Sequence, residues 1–152
     1  MPPKPGANYT GTQLEKFVED RLIEKQYQFV QRRKFTETIA AGQPVYAKQL
    51  HLGNSIYDTP MYGDFVLFHP VKWPNCLIIE CKWQQVSGSV DEKFPYFVLN
   101  IQQKHPYQTV VLLDGDGYKK KAAEWMRKQV GNNLLSVLSM AEFHKWANRG
   151  NI

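Results

Sequence analysis

The apolar run at positions 76–79, which leads directly into Glu80, Cys81 and Lys82, constrains the fold more than any other segment of the chain. An unbroken apolar run of this length predicts a central β-strand that is covered on both faces. Side chains two residues apart in a strand share a face, so Glu80, Lys82 and Gln84 should point to the same side. Because a carboxylate and an ammonium group are costly to desolvate there, both groups need partners.

The rest of the sequence predicts helices and strands in an order typical of a mixed sheet between helical layers. Apolar residues recur at helical spacing after Thr12, and Glu15 stands in the capping-box position of that helix. The early strands are joined by short turns and should pair antiparallel, whereas the later strands alternate with helices and should run parallel. We predict strands at 27–35, 45–52, 65–68, 76–83, 109–113 and 134–138, turns at 39–44 and 73–75, and helices after Ser89, at 118–130 and after Ser139.

The chain has 152 residues, which suffices for one domain with a substantial core but not for two ordinary domains. We therefore predict a disordered N-terminal arm at residues 1–8 and one domain at residues 9–152. No apolar run approaches the ~20 residues that span a bilayer, and the N-terminus lacks the apolar stretch of a secretory signal. Cys76 and Cys81 should face opposite sides of one strand and remain unpaired, so a reducing, cytoplasmic setting is expected.

Asp64 precedes the neighbouring apolar strand and is the expected partner of Glu80. Two carboxylates on neighbouring strands, about one hydrogen-bonding spacing apart, repel each other, and a divalent cation relieves the repulsion. Mg²⁺ prefers hard oxygen ligands, so Asp64, Glu80 and the backbone carbonyl of Cys81 form a candidate ligand set. Lys82 would orient the nucleophile or stabilise charge on the attacked phosphate. The alternative interpretation is an ordinary salt bridge between Glu80 and Lys82 at the end of a sheet.

The arrangement of these residues on consecutive strands resembles the PD-(D/E)XK nuclease superfamily, which includes the type II restriction endonucleases. The resemblance rests on Asp64 in the pair Gly63-Asp64 and on the tripeptide Glu80-Cys81-Lys82. Gly63 stands where the proline of the superfamily's name would be. The resemblance implies an α/β fold, a restriction-endonuclease-like three-layer sandwich in which helices flank a central mixed β-sheet.

Two further similarities extend the resemblance to roughly residues 12–113. Glu15, on the first helix, occupies a position where the superfamily often has an acidic residue that supports the metal site, although it could also serve only in capping. Gln84, followed by Ser87 and Ser89, is similar to a pattern that follows the catalytic lysine in some restriction-type members. The alternative for Gln84 is a solvent-facing strand residue.

The function implied by the resemblance is Mg²⁺-dependent hydrolysis of DNA phosphodiester bonds by an endonuclease of restriction-like or homing type, with Mn²⁺ able to substitute. Cleavage of both strands needs two active sites, so a homodimer or higher oligomer is expected. The alternatives are a structure-selective nuclease of DNA repair or junctions, and a nucleic-acid-binding module of the same fold without turnover. No organic cofactor and no membrane partner are expected.

The formal net charge of +5 and the pI near 9.2 suit a polyanionic partner, because Lys and Arg contacts to phosphates dominate nucleic-acid affinity. Runs of cations are also common on solvated surfaces, so each candidate contact has an ordinary alternative. The residues expected to contact nucleic acid are Arg32, Arg33, Lys34, Ser87, Ser89, Lys93 and Lys119.

Other acidic residues offer rival sites. Asp58 could replace Asp64 as a ligand, but it precedes Thr59-Pro60 and is expected in a loop. Asp114 and Asp116 follow a buried strand and could begin a metal-dependent phosphotransferase site. Asp-Gly turns at such positions are more often purely conformational.

Overall fold

The computed structural model describes residues 7–83, 91–115 and 120–152. The helices are α1 (Ala7–Glu24), α2 (Phe35–Ile39), α3 (Phe94–Gln103), α4 (Lys120–Lys128) and α5 (Met140–Trp146). The strands are β1 (Gln28–Phe29), β2 (Val45–Asn54), β3 (Pro60–His69), β4 (Trp73–Trp83), β5 (Gln108–Asp114) and β6 (Leu134–Leu138). Short 3₁₀ turns cover Arg32–Lys34 and Asp91–Lys93, and a π-helical turn covers Ala147–Asn151.

The described strands form one six-stranded mixed sheet in the order β1-β2-β3-β4-β5-β6. Strands β2, β3 and β4 pair antiparallel through short connections, whereas β4, β5 and β6 run parallel and are joined through helices. This confirms the predicted antiparallel pairing of β2, β3 and β4 and the predicted parallel pairing of β4, β5 and β6. The predicted antiparallel pairing is wrong for the first strand: β1 pairs parallel with β2, because a 3₁₀ turn and α2 carry the chain back between them.

Helices cover both faces of the sheet. On one face, α1 and α5 pack against alternate residues of the strands, including Leu77 and Ile79 of β4. On the other face, α2 packs near Ile78, and α3 and α4 pack on Val111 and Leu113 of β5. The predicted α/β three-layer arrangement is therefore confirmed, and β4 is buried on both sides as its apolar run indicated.

Two segments differ from the prediction. Residues 27–35, predicted as one strand, form only the two-residue β1 before the chain turns into the 3₁₀ segment Arg32–Lys34. Residues 73–75, predicted as a turn, are the start of β4, where Trp73 pairs with His69. Cys76 has φ = 69°, and the pairing of β3 with β4 shifts register between Leu67 and His69.

Helix α1 begins at Ala7, five residues before the predicted start. Thr12 is therefore inside the helix and does not cap it, and Ala7 and Asn8 of the predicted arm are helical. The predicted cap of the last helix is confirmed, since Ser139 accepts a hydrogen bond from the backbone of Glu142 and the Glu142 side chain accepts one from the backbone of Ser139. Within the described residues no helix is long and apolar enough to cross a membrane.

Candidate active site

Strands β3 and β4 separate at the position of the predicted acidic pair. Their ladder ends where Phe65 pairs with Ile79, so Asp64 and Glu80 are the next residues along the two strands. The Asp64 carboxylate then takes the place of a backbone partner, because its Oδ2 accepts a hydrogen bond from the Cys81 amide at 2.9 Å. The end of the ladder thus fixes Asp64 against the strand that bears Glu80.

Glu80 is only 4% exposed, and its carboxyl lies beside that of Asp64 at the end of the ladder. Burial raises the pKa of Glu80 well above its usual range, and the negative charge of Asp64 raises it further. Lys82 lowers the pKa of Glu80, but its attraction is weaker than these two effects. The Asp64 carboxyl therefore affects the pKa of Glu80 more strongly than the Lys82 ammonium does.

Gln49 holds the other oxygen of Asp64, and the sequence analysis did not identify it. The Gln49 side-chain amide donates to Asp64 Oδ1 at 3.0 Å. Gln49 has φ = 53°, a left-handed conformation that few residues other than glycine adopt. No signal in the sequence marks this residue, because its role depends on the pairing of β2 with β3.

Lys82 lies on the opposite face of β4 from Cys81, as the alternation of the strand predicts. Its Nζ is 4.6 Å from the centroid of the Phe97 ring on α3, a distance typical of a cation–π contact. The same lysine lines a cavity of about 430 Å³ together with Lys93, Tyr96 and Phe97. The aromatic ring orients the ammonium group beside this cavity.

Further charged residues lie on the α1 side of the acidic pair. Partial burial raises the pKa of Glu15, and the charge of Asp64 raises it further, which places Glu15 within electrostatic range of that carboxylate. Neighbouring Glu19 accepts a hydrogen bond from Tyr46 at 2.7 Å and pairs with Lys48 at 2.7 Å. Because Thr12 is not a helix cap, the alternative capping role for Glu15 does not apply.

The donor set fits a hard divalent cation. Two neighbouring carboxyls, one of them buried, carry a repulsion that a cation would relieve, and the backbone of Cys81 adjoins Asp64. In the described ranges no group of three or more His, Cys, Asp or Glu residues lies close enough to hold a metal ion. The protein would therefore supply two carboxyls and one backbone carbonyl as ligands. Mg²⁺ in proteins usually keeps several water ligands, so a set of this size is sufficient.

The predicted nucleic-acid contacts that the structure describes fall in two places. Arg32, Arg33 and Lys34 form an exposed 3₁₀ turn, and Arg32 Nη1 donates to the backbone oxygen of Gln49 at 3.3 Å. Lys93 is at the cavity that Lys82 lines. The remaining predicted site residues lie outside the described residues: Gln84, Ser87, Ser89 and Lys119.

The rival acidic residues have structural roles. Asp58 lies in the β2–β3 turn with φ = 60° and accepts a hydrogen bond from Asn54 at 2.9 Å. Asp114 accepts hydrogen bonds from the backbone amides of Gly115 and Met140, both at 2.8 Å, and so holds the start of α5. Asp116 lies outside the described residues.

Comparison with known families agrees with this geometry. A profile described as PD-(D/E)XK nuclease superfamily domain matches residues 6–151, nearly the whole chain. The chain therefore belongs to the PD-(D/E)XK nuclease superfamily, which places it among the nucleases. No curated protein and no solved structure matches the chain significantly.

Proposed function

We propose that the protein is a Mg²⁺-dependent endodeoxyribonuclease whose active site contains Asp64, Glu80 and Lys82. The observation that supports this proposal most strongly is the position of Asp64 beside the buried Glu80 at the end of the β3–β4 ladder. The two groups repel each other when both are charged, and in a nuclease a divalent cation such as Mg²⁺ or Mn²⁺ would relieve that repulsion.

Asp64, Glu80 and the backbone carbonyl of Cys81 would hold the cation. A bound Mg²⁺ would lower the pKa of an attacking water and neutralise charge on the scissile phosphate. Asp64 is held in a fixed orientation by two N–H donors, from Cys81 and from Gln49, and each of its oxygens keeps a further lone pair for a cation. Glu80 is shielded from solvent, which strengthens its attraction for any cation beside it.

Lys82 and Glu15 would act beside the acidic pair. The Phe97 ring fixes the Lys82 ammonium at the mouth of a cavity, where it can orient the nucleophile or stabilise the charge that develops on the phosphate. Glu15 would support the cation from the α1 side, in keeping with the electrostatic effect of Asp64 on its pKa. Gln84, which follows Lys82 on the same predicted face, is proposed as an additional site residue.

DNA is the proposed substrate and a homodimer the proposed assembly. The net charge of +5 favours a polyanion. A domain of this size with one acidic pair cuts one strand at a time, so cleavage of both strands requires a second copy related by two-fold symmetry. The cations of the 3₁₀ turn at Arg32–Lys34, with Lys93, Lys119, Ser87 and Ser89, are the proposed phosphate contacts.

A cleavage assay tests this proposal. Purified protein is incubated with plasmid and with branched DNA, in Mg²⁺ and in EDTA. We expect cleavage only with the cation, and a loss of about 10²–10⁴ in rate for Lys82→Ala. The control Lys128→Ala changes an exposed lysine on α4 and should cleave at the wild-type rate.

The products separate the remaining possibilities. Discrete plasmid fragments indicate a sequence-specific enzyme, whereas cleavage confined to branched DNA indicates a structure-selective repair or junction nuclease. The proposal is wrong if folded wild-type protein binds DNA without cleaving it in Mg²⁺ or Mn²⁺, because that result describes a binding module. It is also wrong if Lys82→Ala cleaves as fast as Lys128→Ala.

A further inference from the structure

We propose that a surface beside the acidic pair binds unpaired nucleotides of the substrate strand. This inference rests on the proposed nucleic-acid substrate and specifies the form in which that substrate lies next to the site. We call the surface the basic aromatic groove, and its residues are Phe29, Arg32, Arg33, Lys48 and Tyr62.

The groove is connected to the candidate active site by hydrogen bonds. Arg32 donates to the backbone oxygen of Gln49 at 3.3 Å, and the Gln49 side chain donates to Asp64 at 3.0 Å. Tyr62 lies two residues before Asp64 on β3, which corresponds to about 7 Å along the strand. A strand of nucleic acid whose phosphate is at Asp64 therefore reaches the groove without leaving the surface.

The groove combines cations with aromatic rings that are open to solvent. Phe29 and Tyr62 are each 50% exposed. Two shallow depressions, of about 360 and 300 Å³, share Arg32 and Arg33. In the described part of the chain, the residues that line these depressions include no Asp or Glu. Lys48 is paired with Glu19 at 2.7 Å, so Arg32 and Arg33 are the cations that attract phosphates. The surface offers flat apolar faces next to them.

Neighbouring side chains hold both rings in place. The Phe29 ring packs against Tyr46 at 5.6 Å between centroids, and the Lys48 ammonium is 5.9 Å from the Phe29 ring centroid. The Tyr62 ring packs against His51 at 5.5 Å. Each ring therefore has one supported side and remains half exposed, so little conformational freedom is lost when a base stacks on it.

The exposed rings favour unpaired nucleotides over a duplex. Cations alone would suit either form, because both present phosphates. Base faces are stacked inside a duplex and cannot reach a protein ring, whereas the bases of a single strand stack on aromatic side chains and on guanidinium planes. Open ends, flaps, gaps and melted segments all present such bases.

Binding measured in EDTA tests the inference separately from cleavage. A short fluorescein-labelled DNA strand, alone or annealed to its complement, is titrated with protein, and its anisotropy is followed. We expect the single strand to bind more tightly than the duplex. Tyr62→Ala should weaken single-strand binding about 5- to 150-fold, the range of base–aromatic stacking, with a much smaller effect on the duplex.

Matched variants control for packing and charge. Tyr62→Phe keeps the ring and should bind like the wild type, and Phe29→Leu keeps an apolar contact but should weaken single-strand binding. Arg33→Gln should weaken both forms of DNA and lower the salt dependence of binding. Trp125→Ala removes a partly exposed ring on α4, outside the groove, and should change neither form.

Three results would overturn the inference. The first is equal affinity of the wild type for single strand and duplex. The second is a Tyr62→Ala variant that loses affinity for both forms equally or for neither. The third is a change of oligomeric state in Tyr62→Ala on gel filtration with DNA affinity unchanged, since the ring would then belong to a contact between copies of the chain. These binding experiments are done in EDTA, so their results can be interpreted even if the protein does not cleave DNA.

Discussion

Replacing Glu80 by glutamine should stabilise the protein when no divalent cation is present. The glutamate is buried against Asp64, and its pKa is raised first by burial and then by the charge of that neighbour. The amide has nearly the same shape, carries no charge and can donate a hydrogen bond to Asp64. Glu80→Gln therefore removes the repulsion at neutral pH but keeps the packing.

The size of the effect follows from the linkage between pKa and stability. A carboxyl whose pKa is raised in the folded state keeps its proton after the unfolded chain has lost it, so stability falls as pH rises from about 4.5 through the folded pKa. At pH values above the folded pKa, each unit by which the pKa is raised lowers the free energy of unfolding by about 1.4 kcal/mol. For a chain of this size, each kcal/mol moves Tm by about 2–4 °C.

Thermal unfolding of the wild type and Glu80→Gln in EDTA, from pH 5 to pH 8.5, measures this difference. The Tm of the wild type should fall relative to that of the variant as pH rises, so that Glu80→Gln is the more stable protein at pH 8. Mg²⁺ should then raise the Tm of the wild type, by an amount that grows with its concentration, and should raise that of the variant far less. When the Mg²⁺ concentration is a hundred times its Kd, binding should stabilise the folded wild type by about 2.7 kcal/mol.

Two outcomes would refute this reasoning. A Glu80→Gln variant that is less stable than the wild type at pH 8 in EDTA would show that the charged carboxylate is a stabilising group. Parallel pH profiles of the two proteins would show that Glu80 does not titrate differently in the folded state. Glu142→Gln is a suitable comparison, because hydrogen bonds from Ser139 lower the pKa of Glu142 and give it the opposite pH dependence.

Three further predictions concern the rest of the fold. Burial lowers the pKa of His105 to about 4, so the folded protein should lose about 3 kcal/mol of stability as pH falls from 6.5 to 4. In urea unfolding, the stability of His105→Gln should depend less on pH in that window than the stability of the wild type. Equal pH dependence of the two proteins would contradict this. Ser139→Ala removes a capping box and should cost about 1 kcal/mol of unfolding free energy, whereas an unchanged Tm would show that the cap contributes nothing. Asp114→Asn should lower Tm because Asp114 accepts the Met140 amide, but it should leave the rate of DNA cleavage per folded molecule unchanged; a loss of cleavage would favour the phosphotransferase alternative.

The elements predicted correctly from the sequence are those with strong local signals. The apolar runs of β4 and β5 and the capping box of Ser139 with Glu142 each specify their structure within a few residues. The errors arose where strand pairing decides the conformation. Trp73 extends β4 because it pairs with His69 across the tight β3–β4 connection. Residues 27–35 form only the two-residue β1, which pairs with Val45 and Tyr46, before the 3₁₀ segment Arg32–Lys34.

The candidate site shows the same division. Alternation along β4 was enough to place Glu80 and Lys82 on the face opposite Cys81. Nothing local indicated that Gln49 would hold Asp64, because that contact depends on the register of β2 against β3 and on an unusual backbone conformation. The depth at which Glu80 is buried also depends on the whole sheet, so the sequence predicted the presence of the pair but not the strength of its repulsion.

The most direct test of the central claim is the position of a divalent ion relative to the acidic pair. Crystals of the wild-type protein grown with Mn²⁺ would give an anomalous difference map in which the ion can be located without assumptions about the site. We expect one strong peak within bonding distance of both the Asp64 and the Glu80 carboxyls. A map that places the ion elsewhere, away from both carboxyls, would contradict the account.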